Sequence, residues 1–134
     1  MNRRLILGAI VLGLVAFAAT ASAATTYTST FKINTEPTNQ DSVSFRVKVI
    51  SDAAQCVQHR KVKFSERPAG SSDPWVLVDQ GFTNENGVIV RDLPTGGTPD
   101  VKITAVRKEF GKPGHRKVCK ARSHVLSGTG VGPS

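Results

Sequence analysis

The chain has few of the residues and patterns that mark enzymes and membrane proteins. Its 134 residues include one Trp, one Tyr and two Cys. After residue 23, no apolar run approaches the roughly 20 residues that a membrane-spanning helix needs, and no window keeps a helical apolar period. The sequence also lacks a G-x-S-x-G motif, an H-E-x-x-H motif and a cysteine paired with a base. We therefore expect neither an enzyme of these classes nor a helical fold.

The N-terminus predicts a secretory signal peptide over residues 1–23. Arg3 and Arg4 supply the positive charge, Leu5–Ala19 is apolar, and Ala21-Ser22-Ala23 has the small-x-small pattern of a cleavage site. The apolar stretch of about 15 residues is short for a membrane anchor, and no Cys at the cleavage site offers a lipid attachment point. We expect a mature chain from Ala24 that is secreted or held at the cell envelope, with no membrane span.

Alternating apolar and polar residues predict an all-β domain over 24–127, followed by a flexible Gly-rich tail over 128–134. Ser42–Ile50 alternates most cleanly, with four apolar side chains on one face. About seven strands and no helix are expected; their predicted ranges are 25–34, 42–50, 60–67, 75–82, 88–93, 100–110 and 116–126. Strands with one apolar face favour a single antiparallel β-sandwich, and a small closed barrel is the alternative.

The cysteine pair predicts a disulfide bond. Cys56 and Cys119 both lie in the mature chain, and an even number of cysteines in an exported protein indicates a disulfide. Closing a loop of about 64 residues stabilises the fold by roughly 4 kcal/mol on the chain-entropy argument. A metal site is the alternative, but the chain has no Cys-x-x-Cys or Cys/His spacing for one. We expect no metal and no cofactor.

Five short motifs occur in order over roughly residues 42–127: V-K-F after Cys56, T-N-E-N-G, P-T-G-G, V-K-I-T-A-V and V-C-K-A-R-S. With them, this part of the chain resembles small exported bacterial β-sandwich domains of the transthyretin-like, or carboxypeptidase-regulatory-like, group, which is related to the B-type modules of collagen adhesins. The resemblance implies an immunoglobulin-like sandwich that serves as a non-catalytic spacer or binding module. The adhesin modules often carry a Lys–Asn isopeptide bond. Lys32 could supply the amine, but residues 116–126 contain no Asn or Asp to accept it.

Other chemical sites are weakly indicated. The histidines, His59, His115 and His124, have no metal-ligand spacing and are expected to be exposed. The loop from Asn84 to Gly87 superficially resembles a calcium loop, but it lacks the later bidentate Glu and fits a hairpin turn better. Trp75 at a strand start is interpreted as a core residue, with a sugar-stacking platform as the alternative.

Positive charge is the one feature of the sequence that suggests a function. The mature chain has 16 Lys and Arg against 10 Asp and Glu, or about +6, and residues 105–124 hold seven of these cations against Glu109. We expect the disulfide to bring this segment beside the basic residues after Cys56. The predicted polyanion-binding residues are Arg60, Lys61, Lys63, Lys117, Lys120 and Arg122. The alternative is a solvated surface, since Lys on strands also prevents edge-to-edge aggregation.

The sequence therefore predicts a secreted, monomeric, non-catalytic domain whose basic face attracts an acidic envelope polymer or polysaccharide. Nucleic acid is a less favoured partner, because the chain is exported and its basic stretches lack interleaved aromatics. Two alternatives stay open. One is an enzyme or enzyme inhibitor whose site is built from loops, and the other is a structural domain without a ligand.

Overall fold

The computed structural model describes residues 23–128, and these are mostly β. The predictions for the signal peptide and for the tail beyond Gly128 lie outside the described residues. One short helix, α1 (Ala54–Val57), precedes β4. The strands are β1 (Thr25–Tyr27), β2 (Thr30–Asn39), β3 (Ser42–Ile50), β4 (Lys61–Arg67), β5 (Val76–Phe82), β6 (Val88–Pro94), β7 (Asp100–Ala105), β8 (Lys108–Phe110), β9 (Lys117–Cys119) and β10 (Arg122–Leu126).

These strands form three sheets. A four-stranded sheet has the order β10-β7-β4-β5, and two three-stranded sheets have the orders β2-β3-β6 and β1-β9-β8. The pairs are antiparallel, apart from β1 and β9, which run parallel with Thr25 opposite Lys117. The predicted antiparallel β architecture is therefore confirmed, with this one parallel exception among residues 23–128.

The hydrophobic core is shared by the four-stranded sheet and the β2-β3-β6 sheet. The alternation of β3 is confirmed, because its four apolar side chains are all buried. Phe45 from β3 meets Phe64 from β4, with ring centroids 6.4 Å apart. The core cluster comprises Val43, Phe45, Val47, Val49, Val62, Phe64, Ile89, Leu93, Val101 and Ile103. Since these side chains come from β3, β4, β6 and β7, the core-facing surfaces of both sheets are removed from water together.

The strand count was wrong, because ten strands replace the expected seven or so. Three predicted strands are each broken in two where the chain leaves one sheet for another. The 25–34 segment breaks between β1 and β2, the 100–110 segment between β7 and β8, and the 116–126 segment between β9 and β10. The predicted loop at 36–41 is also shorter, since β2 continues to Asn39. Apolar alternation does not reveal such a change of sheet, because it is a local property.

The break before β10 also changes which residues face inwards. Strict alternation along the predicted strand 116–126 would put residues 119, 121, 123 and 125 on one side, yet Val118 and Cys119 are both buried and Val125 is 47% exposed. In the observed register Leu126 lies opposite Val101, so the even-numbered residues of β10 face the core side. The irregular residues between β9 and β10 reset the alternation.

The predicted disulfide is confirmed. Cys56 and Cys119 are bonded with their Cα atoms 5.5 Å apart, and both are fully buried. The expectation that the domain has no helix was wrong, because Cys56 lies on α1. The bond therefore joins α1, which precedes the four-stranded sheet, to β9 in the smallest sheet.

Candidate functional site

The outer face of the four-stranded sheet carries a group of cations. Val62 and Phe64 on β4 are fully buried, so their neighbours Lys61, Lys63 and Ser65 point to the opposite side of the sheet. On β7, Lys102 lies opposite Ser65, one residue before the buried Ile103. We name the side chains of Lys61, Lys63, Arg67 and Lys102 the cationic face.

The cationic face is nearly free of acidic groups. The residues paired with Lys63 are Thr104 and Gln80, and Thr104 shares a 2.9 Å hydrogen bond with Ser123. Asp79 and Glu66 belong to the same sheet but lie opposite Phe64 and Val101, on the core side. Asp100 is the exception. It is buried opposite Arg67 at the end of the face.

The lysines of this face have no counter-ion among residues 23–128. The ion pairs in this part of the chain engage Arg67, Arg91, Arg107 and Arg116, and none engages Lys61, Lys63 or Lys102. All three lysines are half-buried, as is usual for lysines whose methylene stems lie along apolar surface while the ammonium group reaches water. Their charges are therefore free to attract an anion.

Trp75 lies at one end of the cationic face. Its ring centroid is 4.1 Å from the guanidinium carbon of Arg67 and 5.0 Å from the Nζ of Lys102. Trp75 does not belong to the core cluster, so its interpretation as a core residue was wrong. Cations over an indole ring are attracted by its negative face, and the ring holds two of the four basic side chains in place.

Large apolar side chains flank the cations. Phe82 lies opposite Lys61 and is 63% exposed, while Leu77 lies opposite Ser65. Val125 lies opposite Lys102 at the other edge of the sheet. A ligand on this face would therefore contact ammonium groups, hydroxyl groups and apolar surface together.

Among the predicted polyanion-binding residues, Arg60 differs most from the prediction. Its side chain is fully buried, so its assignment to an exposed binding surface was wrong. Nε donates to the Val106 carbonyl at 2.6 Å, Nη1 to the Cys56 carbonyl at 3.0 Å and Nη2 to the Lys120 carbonyl at 2.8 Å. Nη1 also lies 3.3 Å from the Ser29 hydroxyl. Burial lowers the pKa of Arg60, and the carbonyl oxygens replace the water it has lost.

The remaining predicted residues lie on different elements. Lys61 and Lys63 share the cationic face, but Arg122 lies opposite Ala105 and therefore on the core side of the sheet edge. Lys117 belongs to β9, with its Nζ 5.9 Å from the Phe110 ring centroid. Lys120 is exposed between β9 and β10. The expected merging of Arg60 and Arg122 with Lys61 and Lys63 into one surface was wrong.

Much of the basic stretch at 105–124 is occupied by local contacts. Glu109 pairs with Arg107 at 2.6 Å and also with Arg116. The hydrogen bond from Arg107, with the charges of both arginines, holds the pKa of Glu109 below its usual range. Lys108 donates to the carbonyls of Gln55 and Gln58 at 2.9 and 3.3 Å, which places its charge at the end of α1.

The loop from Asn84 to Gly87 is a turn, as expected, but the prediction of a β-hairpin was wrong, because β5 and β6 belong to different sheets. The Asn84 side-chain oxygen accepts hydrogen bonds from the backbone N–H groups of Asn86 and Val88 at 2.9 and 3.0 Å. This oxygen is therefore engaged in the turn itself. No group of three or more His, Cys, Asp and Glu side chains within 23–128 is arranged to hold a metal ion.

A cavity lies at one end of the four-stranded sheet, where it is bordered by Arg67 of the cationic face. It has a volume of about 410 Å³ and is lined by Glu66, Arg67, Pro68, Val76, Val78, Gly96, Gly97 and Pro99. Sequence patterns carry no signal for it, because its walls come from β4, β5 and the loop between β6 and β7. Arg67 and Lys102 were likewise missed as members of the cationic face.

Comparison with known proteins identifies no relative: no family model, no curated protein and no solved structure matches the chain. Over the described residues, no helix has the length and apolar character to cross a membrane.

Proposed function

We propose that the protein is an exported, non-catalytic β-sandwich domain whose cationic face binds an acidic polysaccharide or wall polymer outside the cell. The observation that carries the proposal is the set of lysines at positions 61, 63 and 102, which have no counter-ion within 23–128 and share one face of a sheet. An array of like charges raises the local concentration of an anionic polymer and is screened by salt.

The sandwich architecture is supported by the position of the core. Side chains from β3 and β6 on one sheet and from β4 and β7 on the other belong to one buried cluster. Two antiparallel sheets that cover each other in this way leave their outer faces to solvent, and one of these outer faces is the cationic face. The proposal includes membership of the transthyretin-like group, which is supported by the motifs between residues 42 and 127.

Export is supported by two independent features. Residues 1–23 have the charge, apolar stretch and small-residue pattern of a secretory signal. The bond between Cys56 and Cys119 is of the kind that persists in an oxidising compartment. An acidic polymer of the envelope or matrix is therefore a ligand that the protein could meet.

The chemistry of the face favours a polymer with hydroxyl and anionic groups. Lys61 and Lys63 are two residues apart on one strand, so their Cα atoms are about 6.6 Å apart. Ser65, Thr104 and Gln80 add neutral hydrogen-bonding groups between the charges. Phe82 offers an exposed ring against which the apolar side of a sugar can pack. These groups lie on the surface of a sheet, which suits an extended chain.

The test is elution of the disulfide-bonded protein from immobilised heparin in a salt gradient. A Lys61→Glu/Lys63→Glu variant is compared with Lys32→Glu/Lys48→Glu, which makes the same change in net charge. Lys32 and Lys48 are exposed and lie opposite each other on β2 and β3, in the other large sheet. Circular dichroism checks that both variants fold.

We expect the wild type to elute above physiological salt. The variant at 61 and 63 should elute at much lower salt than the variant at 32 and 48, because only the former alters the bound surface. Equal elution of the two variants would show that net charge alone causes retention, and the proposal would then fail. Stronger binding to single-stranded DNA than to the polysaccharide would point to the wrong class of polymer.

A further inference from the structure

The cavity beside Arg67 has the size of a small-molecule site. Its volume of about 410 Å³ falls within the range of roughly 300–1,000 Å³ typical of ligand pockets. Its walls are the end of β4, the start of β5 and the loop between β6 and β7, where Gly96 and Gly97 contribute only backbone.

Most of the lining is apolar and incompletely covered. Val76 and Val78 line the cavity and remain 61% and 37% exposed, while Pro68 and Pro99 complete the apolar wall. Exposed valines beside a concave surface leave apolar area that a ligand could remove from water.

Glu66 is the acidic group of this wall, and it has no partner among residues 23–128. It lies between Val76 and Val101 in the sheet register. Its Oε1 atom is buried and accepts no hydrogen bond, and the carboxylate forms no ion pair within the same range. Burial raises the pKa of this carboxyl. Buried polar atoms are nearly always hydrogen-bonded, so an unpaired carboxylate oxygen at a cavity indicates a place for a donor.

The neighbouring arginine does not neutralise Glu66. Arg67 also lines the cavity, but its guanidinium carbon lies 4.1 Å from the Trp75 ring centroid and its Nε lies 3.9 Å from an oxygen of Asp100. Asp100 in turn accepts hydrogen bonds from the backbone N–H groups of Gly70 and Gly128 at 3.1 and 2.7 Å. The Nε atom of Arg67 is itself buried without a hydrogen-bond acceptor among residues 23–128, so the cavity wall holds an unpaired donor as well as the unpaired oxygen of Glu66. Arg67 forms its ion pair with Asp100 and none with Glu66, and the carboxylate of Glu66 is left for an incoming cation.

We infer that this cavity binds a small primary ammonium compound with a compact apolar body. The ammonium group donates hydrogen bonds to Glu66, and the apolar body packs on Val76, Val78 and the two prolines. A hydrogen bond between two ionised groups is stronger than one between neutral groups, which favours an amine over an alcohol of the same shape. Arg67 borders both sites, but the inference is independent of the proposed polymer binding, because it rests on Glu66 and the two valines, whereas polymer binding rests on Lys61, Lys63 and Lys102.

The test is a titration of the isotope-labelled, disulfide-bonded protein with benzylammonium, followed by the NMR shifts of its backbone amides. Benzyl alcohol and benzoate have the same ring and serve as neutral and anionic comparators. We expect benzylammonium to shift the amides of Glu66, Val78 and Gly97. Benzyl alcohol should bind roughly ten-fold more weakly, and benzoate should cause no shift there.

Variants separate the role of Glu66 from a general effect of charge. Glu66→Gln keeps the shape of the side chain and should weaken benzylammonium binding roughly ten-fold. Glu85→Gln makes the same charge change in the exposed turn before Gly87 and should leave binding unchanged. Val78→Ser should weaken the amine and the alcohol alike, which tests the apolar wall even if the Glu66 variant were unstable.

Equal affinity for benzylammonium and benzyl alcohol would overturn the inference, as would full binding by Glu66→Gln. Shifts confined to residues outside the cavity would also overturn it. The Lys61→Glu/Lys63→Glu variant should keep the selectivity for amine over alcohol. Loss of polymer binding in that variant and loss of amine binding in Glu66→Gln are therefore separate outcomes.

Discussion

At the scale of single residues, Arg60 explains how the region around the disulfide is held together. Its guanidinium binds carbonyl groups of Cys56, Val106 and Lys120, which belong to three segments far apart in sequence. Its backbone N–H donates to the Thr83 hydroxyl at 2.8 Å, and that hydroxyl donates to the Val57 carbonyl at 2.6 Å. One side chain therefore supplies donors to backbone groups that no sheet partner satisfies.

We expect Arg60→Met to lower the free energy of unfolding by about 3–5 kcal/mol, because it leaves several buried carbonyl oxygens without donors. Urea denaturation followed by circular dichroism measures the change. Arg122→Met is the control, since Arg122 is exposed at the edge of the sheet and its loss should cost less than about 0.5 kcal/mol. Equal effects of the two substitutions would contradict the structural role of Arg60.

The sequence could not have revealed this role. Arg60 stands in a run of basic residues beside Lys61 and Lys63, and arginine is rarely buried without a partner. Its burial depends on carbonyl groups 46 and 60 positions further along the chain, which only the tertiary structure brings together. The four apolar residues of β3 were predicted correctly, because an alternating strand carries its own signal for which face is buried.

At the scale of elements, the turn between β5 and β6 depends on Gly87. This residue has φ of 79°, and its carbonyl accepts a hydrogen bond from the Val49 N–H at 2.9 Å. A Cβ atom at this position would come within 2.8 Å of the Val49 carbonyl oxygen and would also collide with the Val57 side chain. The turn thus packs directly against β3 and the end of α1.

We expect Gly87→Ala to destabilise the protein by about 3 kcal/mol, from backbone strain together with the collision. Gly97→Ala is the matched control. Gly97 has a similar φ of 84°, but a methyl group there would meet no atom of residues 23–128 within 4 Å beyond its chain neighbours, so the change should cost only about 1 kcal/mol. Thermal unfolding of both variants gives the comparison, and a Gly97 variant as unstable as the Gly87 variant would contradict the packing argument.

The elements also show which parts of the candidate site could be predicted. The alternation of β4 puts the predicted residues Lys61 and Lys63 on the cationic face, on the opposite side from the buried Val62 and Phe64. It could not show that β4 and β7 are neighbours, because strand order is decided by packing between segments distant in sequence. The break between β9 and β10 had no local signal either, so Lys117 and Arg122 were wrongly expected on one continuous strand.

At the scale of the whole molecule, the disulfide limits the unfolded chain. It joins residues 63 positions apart and therefore encloses β4 to β8 in one covalent loop. We expect Cys56→Ser/Cys119→Ser to lower the free energy of unfolding by about 2–5 kcal/mol. The slope of the denaturation curve should also steepen, because a chain without the crosslink exposes more surface when it unfolds.

The measurement compares urea denaturation of the double variant with that of the oxidised protein and of the protein under a reducing agent. The double variant and the reduced protein should agree. If the double variant and the reduced protein both unfolded at the same urea concentration as the oxidised protein, the core alone would determine the stability. The cationic face stands on β4 and β7, which contribute Val62, Phe64, Val101 and Ile103 to the buried core, so heparin retention should persist wherever the variant remains folded.

The parallel pairing of β1 with β9 determines how the molecule would respond to mechanical tension. β1 lies at the N-terminal end of the described chain, and Tyr27 is opposite Cys119. Suppose that the chain is pulled at the N-terminal end of β1 and at the C-terminal end of β9. Because the two strands are parallel, the force would act along them in opposite directions and would shear this short ladder. Its hydrogen bonds would then have to break together rather than one after another. Once the ladder had broken, the force would pass from β9 to α1 through the bond between Cys119 and Cys56 and would bypass the enclosed strands. These strands could not be extended while the bond remained intact.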